Sequence, residues 1–121
     1  MRDTLLDLQD FCQISARLVA RGKHAYDADE ALHLAGEAIV HRVGEAVARL
    51  DRLAPDFLAD HPQIEWRKMK GMRNVVAHEY LRVDHEIIWN ALVNRLPGVA
   101  TLLDGVLRER LAYPNSEGRP R

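Results

Sequence analysis

The chain has 121 residues, 47% apolar and 29% charged, with a formal net charge of −1. That length and balance suit one folded domain with a core of its own and exclude wholesale disorder. Near-neutral charge removes any global drive toward nucleic acid, so anion binding must come from a local cluster.

In chain order, Thr4-Leu5-Leu6-Asp7 has the spacing of a capping box and predicts a helix starting near residue 4. Leu5, Leu8, Cys12, Ser15 and Val19 recur at three and four, Phe11 and Leu18 widen the stripe, and Gly22 ends it. Cys12 is the single cysteine; it excludes an intrachain disulfide and reads as an inert core thiol. A polar stretch from Lys23 to Asp27 leads into a long second helix, capped by Asp27 or Asp29 and ended by Pro55. Inside it Gly36 and Gly44 each cost about 1 kcal/mol relative to alanine, which predicts close approach of another helix. Residues 55–64 read as a connection with one short helical turn. A third long helix follows at about 65–80. Val83-Asp84 marks a break with an N-cap, and a fourth helix spans 84–96 with Ile88, Leu92 and Leu96 on one side and Trp89 beside them. Pro97-Gly98 interrupts, and a fifth helix over 99–112 presents Val99, Leu103, Val106 or Leu107, and Leu111. The expectation is an all-α antiparallel bundle of four to five helices, with one domain over 1–112 and a flexible tail over 113–121. No leader pattern opens the chain and no apolar run nears the roughly 18 residues of a membrane span, so a cytoplasmic protein without membrane contact is expected.

The third long helix concentrates the chemistry. Arg67, Lys68, Lys70 and Arg73 supply four basic side chains in seven positions, and no acid interrupts the run from Trp66 to His78. Such a cluster in a neutral chain points to a local anion site. At roughly 100° per residue Arg73 and Tyr80 share one line, and Asn74 and His78 share another beside it. Arg73 and His78 stand about 140° apart and cannot both aim at one small group from an ideal helix. Met69, Met72, Val75 and Val76 form the opposite, apolar arc. A helix distorted near Gly71, a wide site, or a second copy of the chain would each resolve this, and the last two are preferred. Periodicity alone leaves a solvated basic face as the alternative.

Competing constellations are weaker. His33, Glu37 and His41 align at i, i+4 and i+8, but without a fourth ligand they read as a solvated face, and no metal is expected. No Gly-rich phosphate loop or nucleophile elbow occurs. Trp66 and Trp89 read as core or interface anchors rather than base-stacking platforms. Tyr26 and Tyr113 fall in an expected loop and an expected tail.

Arg73, His78 and Tyr80 satisfy the pattern R-x-x-x-x-H-x-Y, and with it the segment resembles the HEPN superfamily of small helical ribonucleases, in particular the HepT-like toxins. Gly44-Glu45-Ala46, Pro62-Gln63-Ile64-Glu65-Trp66-Arg67, Gly71-Met72-Arg73-Asn74, Val83-Asp84, Trp89 and Leu96-Pro97 follow the family pattern in order. The resemblance covers most of residues 28–103; the first helix and the tail carry little of it.

The resemblance implies a metal-independent endoribonuclease toxin, acting without cofactor on an RNA substrate as a homodimer whose paired motifs meet across the two-fold axis, with Trp66 or Trp89 in or near that contact. Arg73 and His78 are then the catalytic pair, with Asn74, Lys70 and Arg67 as substrate-binding residues. It further implies a cognate MntA-like minimal nucleotidyltransferase as antitoxin, which neutralises the toxin by adding AMP to Tyr80. The alternative is a non-catalytic HEPN-type substrate-binding partner of such a nucleotidyltransferase.

Overall fold

Apolar residues at helical spacing build seven helices in a computed structural model that describes residues 1–78 and 84–112, excluding the side chains of 75–78 and 110–112. They are α1 (Arg2–Val19), α2 (Lys23–Ala28), α3 (Glu30–Leu53), α4 (Pro55–Ala59), α5 (Trp66–His78), α6 (His85–Asn94) and α7 (Leu96–Ala112). Five are long, as expected, and no strand occurs among the described residues. The fold is an all-α bundle.

The caps explain several boundaries. Asp29 accepts from the Ala31 amide at 2.9 Å and starts α3. Asp84 accepts from the amides of Glu86 and Ile87 and starts α6. Pro55, which lacks an N–H, ends α3 and occupies the first turn of α4.

Three boundary expectations need correction. The first helix begins at Arg2, and Thr4 is buried within it rather than capping it. The polar stretch 23–27 is a short helix, α2, because it carries Tyr26 into the core, where that ring is fully buried. Pro97 and Gly98 lie inside the first turn of α7, which tolerates a missing N–H, so they begin that helix rather than precede it.

Helix α3 is the centre of the bundle, packed against α1, α2, α4, α5 and α6, while α7 closes on α1 and α6. Leu5, Leu8, Val40, Val43, Val47, Leu50, Ile88, Leu92, Leu96 and Leu103 fill the core and are essentially inaccessible. Each such side chain contributes about 1.5–3 kcal/mol on burial. Cys12 belongs to this core, and burial, helped by Asp104, pushes its thiol up to about 12.

Both helical glycines of α3 sit where another helix comes close. A Cβ on Gly36 would stand 3.0 Å from Ile88 Cγ2 of α6, and one on Gly44 would stand 2.8 Å from the backbone nitrogen of Arg73 in α5. The second contact brings the motif helix directly against the bundle axis.

Candidate functional site: the face shared by α3 and α5

Helix α5 seats itself through Trp66, Met69 and Met72, all buried. The Trp66 indole N–H also donates to the His61 carbonyl at 2.9 Å, tying the helix start to the preceding turn. Trp66 is therefore a core anchor of its own chain. Trp89 is half-buried and tilts against the Tyr26 ring at 5.0 Å. The side chains of Val75 and Val76, expected on the apolar arc, are outside the described ones.

The apolar seat turns the basic residues toward α3 and solvent. Arg73 Nη1 donates to Glu45 Oε1 at 3.2 Å, with about a third of the arginine side chain accessible. Lys70 Nζ donates to Asp51 Oδ2 at 3.0 Å. Lys68 pairs with Glu65 at 3.3 Å, and the same carboxylate accepts from Arg95 Nη1 at 2.7 Å. These two hydrogen bonds hold the Glu65 carboxyl below its ordinary range. Arg67 and Asn74 are exposed. The basic run of α5 is thus answered by acids from α3 and by Glu65 just before its first turn, not left as a bare cationic strip.

Glu45 has a second neighbour. His41, one turn back on α3, places Nε2 3.8 Å from Glu45 Oε2, an ion pair when the imidazole is protonated. Glu45 therefore stands between the motif arginine and a histidine. Sequence reasoning placed Glu45 in a family pattern but gave it no role. The available signal was Gly44: a glycine demanding close helix approach implies that its neighbour on the same face meets the arriving helix.

Helix α5 is continuous through Gly71 to His78, so helix distortion is not what relates Arg73 to His78. A wide site or a second copy remains. The His78 side chain and Tyr80 lie outside the described side chains and residues, as do Val83, Leu111 and the tail 113–121. The other tyrosine in a predicted loop is buried: Tyr26 donates to the His85 carbonyl at 3.2 Å, and burial lifts its hydroxyl to about 12.

The histidine array of α3 does not converge. His33 stacks on His85 with ring centres 4.0 Å apart, Glu37 faces His85 Nδ1 at 3.8 Å, and His41 faces Glu45. Among the described residues no three His, Cys, Asp or Glu side chains are grouped to hold a metal ion. No helix among them is long and apolar enough to cross a membrane.

An all-α bundle whose chain reads R-x-x-x-x-H-x-Y, with the arginine and histidine on a helix pressed against its central helix, defines a protein of the HEPN class. The family model described as "Ribonuclease HepT-like" matches residues 3–106, and the chain belongs to that family. Among curated proteins it is 30% identical over 67 residues to a Methanocaldococcus jannaschii protein named "Putative RNase", covering 55% of this chain and 53% of the relative. A protein of the same name from Caldanaerobacter subterraneus is 30% identical over 67 residues, 55% of this chain and 57% of the relative. The "Probable ribonuclease HepT" of Thermococcus cleftensis is 33% identical over 57 residues, 47% and 49% of the two chains. The chain spans about half the length of the curated relatives it matches. No solved structure gives a significant match.

Proposed function

We propose that the chain is a metal-independent endoribonuclease, the toxin of a toxin–antitoxin pair, working as a homodimer. The observation that carries this is the intact motif of a HepT-like chain, its Arg73 and His78 on α5, with Arg73 held in place by Glu45. Cleavage without metal uses the RNA 2′-OH as nucleophile on the adjacent phosphorus, with base, acid and charge stabilisation supplied by the protein. A histidine, with a reference pKa near 6.5, suits both proton transfers at neutral pH. His78 fills that role, and two copies across a two-fold axis supply one base and one acid. A guanidinium carries five N–H donors. The Glu45 bond uses one and leaves others to grip two phosphate oxygens in a fork that lysine lacks. Asn74, Lys70 and Arg67 extend the binding face along α5, Lys70 after exchanging Asp51 for phosphate.

Control falls to a minimal nucleotidyltransferase of the MntA type, which transfers AMP to Tyr80, seven positions from Arg73. The added phosphodiester would neutralise Arg73 and obstruct RNA. Burial of Tyr26 removes one competing hydroxyl and supports the choice of Tyr80.

The second reading is a non-catalytic HEPN-type partner that binds substrate for the nucleotidyltransferase. One observation favours it: Arg73, Lys70 and Lys68 already have carboxylate partners.

Purified wild type, Arg73→Ala and His78→Ala are compared on RNA in EDTA. Cleavage by wild type alone, leaving 2′,3′-cyclic phosphate ends, supports the enzyme; undiminished cleavage by either variant removes the mechanism. Mixing the two variants restores activity if each site draws on both chains. With the nucleotidyltransferase, ATP and magnesium, AMP should appear on the peptide containing Tyr80 and be absent in Tyr80→Phe.

A further inference from the structure

An open groove between α1 and α3 has no part in the reading above. It measures about 510 Å³, within the range of small-ligand sites. Asp7 and Phe11 form its α1 wall, and His41, Arg42, Glu45 and Arg49 its α3 wall. Glu45 belongs to both places: one carboxylate oxygen holds Arg73 and the other faces His41. The groove therefore opens beside the motif arginine, one carboxylate away.

Its walls carry the parts a nucleotide needs. Phe11 is half-buried against the core and lends its remaining face to the groove; an aromatic ring stacks any base, because every base has a π-face. Arg42 is exposed on the opposite wall. The approach of Arg49 to Asp7 is long, 3.9 Å, with both side chains about half accessible. Such pairs are weak and readily exchanged for phosphate. The Nδ1 atom of His41 is buried and has no hydrogen-bond partner among the described residues. Counting Arg73, three arginines face two carboxylates, a local positive excess in a neutral chain.

We propose that this groove is a nucleotide subsite, taking one nucleotide of single-stranded RNA next to the phosphate held at Arg73. The base stacks on Phe11, and the flanking phosphate is held by Arg42 and Arg49. This assignment rests on the ribonuclease reading of α5, yet binding tests it without requiring cleavage.

The probe is a fluorescein-labelled 2′-O-methyl hexanucleotide of mixed sequence, which lacks the attacking hydroxyl. Anisotropy titrations compare the full wild-type chain with Arg42→Ala, Phe11→Leu and Arg108→Ala, the last an exposed residue of α7 that does not line the groove. Phe11→Leu and Arg42→Ala should each weaken binding about tenfold, the order of one lost base or phosphate contact. Arg42→Ala should also flatten the slope of log affinity against log salt by about 0.7, the value for one phosphate contact on a single strand. Arg108→Ala should bind as wild type does. Because Arg42 is exposed, its variant remains folded even where Phe11→Leu does not.

Wild-type affinity in a folded Arg42→Ala variant, or no binding by wild type, overturns the subsite. So does AMP competing as effectively as an unlabelled hexanucleotide, which would make the groove a free-nucleotide site. Cleavage of unmodified RNA is measured in parallel. Groove-dependent binding without cleavage sinks the ribonuclease reading and leaves the subsite standing; cleavage without groove dependence does the reverse.

Discussion

The backbone of Arg73 rests against the bare α-carbon of Gly44: a Cβ at Gly44 would stand 2.8 Å from the Arg73 nitrogen and 2.9 Å from the Arg73 Cβ. No side-chain rotation relieves contacts with backbone, so Gly44→Ala must push α5 away from α3. The expected cost is about 1–3 kcal/mol, that of inserting a methyl group into a packed interface. Moving α5 also lengthens the Arg73–Glu45 bond. Thermal unfolding and RNA cleavage should both suffer, cleavage more than stability. Gly36→Ala, whose new methyl meets only side chains of α6 and α2, Ile88 Cγ2 at 3.0 Å and Tyr26 Cε1 at 3.4 Å, should lower stability but leave α5 in place and cleavage near wild type.

Glu45 orients Arg73 without touching substrate in the proposed mechanism. Glu45→Gln keeps the shape and removes the charge, and should lower cleavage about tenfold, chiefly through kcat. Arg73→Ala should lower it by about 10²–10³, the usual loss for one donor to a developing anion. Adding Glu45→Gln to Arg73→Ala should cost nothing further, because its effect passes through the guanidinium. Both positions are partly exposed, so either change should cost less than about 1 kcal/mol of stability.

Cys12 should be silent to thiol reagents in the folded protein. Its thiol is pushed up to about 12 by burial and by Asp104, so almost no thiolate exists at pH 8, and the reagent cannot reach it. Ellman's reagent should label about one thiol per chain only in denaturant. Rapid labelling without denaturant would mean that α1 separates from the bundle.

Glu65 gives acid sensitivity of defined sign. Its carboxyl is lowered from 4.5 by hydrogen bonds from Lys68 and Arg95. A depressed folded value stabilises the protein above the unfolded value and loses that contribution as pH falls through the folded one. Glu65→Gln should therefore lower the melting temperature slightly at pH 7, with the difference from wild type shrinking toward pH 3. The group is exposed, so the effect is small. A difference that grows on acidification would contradict the pairing.

Asp84→Ala tests the cap of the helix that follows the motif. It deletes the acceptor for the amides of Glu86 and Ile87 and should cost about 1 kcal/mol. Melting curves should show this directly, while Asp84→Asn should retain most of the stability.

The sequence by itself determined the bundle, because helical periodicity and capping are local. The stripe through Leu5, Leu8 and Cys12, a cap at Asp27 or Asp29 and the stop at Pro55 can all be read within one or two turns of chain, the fold choosing Asp29. It also determined the motif, since R-x-x-x-x-H-x-Y is a pattern over eight consecutive residues. Even Gly44 announced that another helix must come close, because a glycine so costly to a helix needs compensation. It could not say which helix, and that choice decided the character of the site. Read along α5, Lys70 and Arg73 form an uncontested cationic run. In the fold they meet Asp51 and Glu45, 19 and 28 residues away in sequence. Charge pairing across that separation depends on the register of two packed helices, which no local pattern encodes. The same packing took Tyr26 from an expected loop into the core, and it opened beside Arg73 a groove between α1 and α3 whose two walls are remote in the chain.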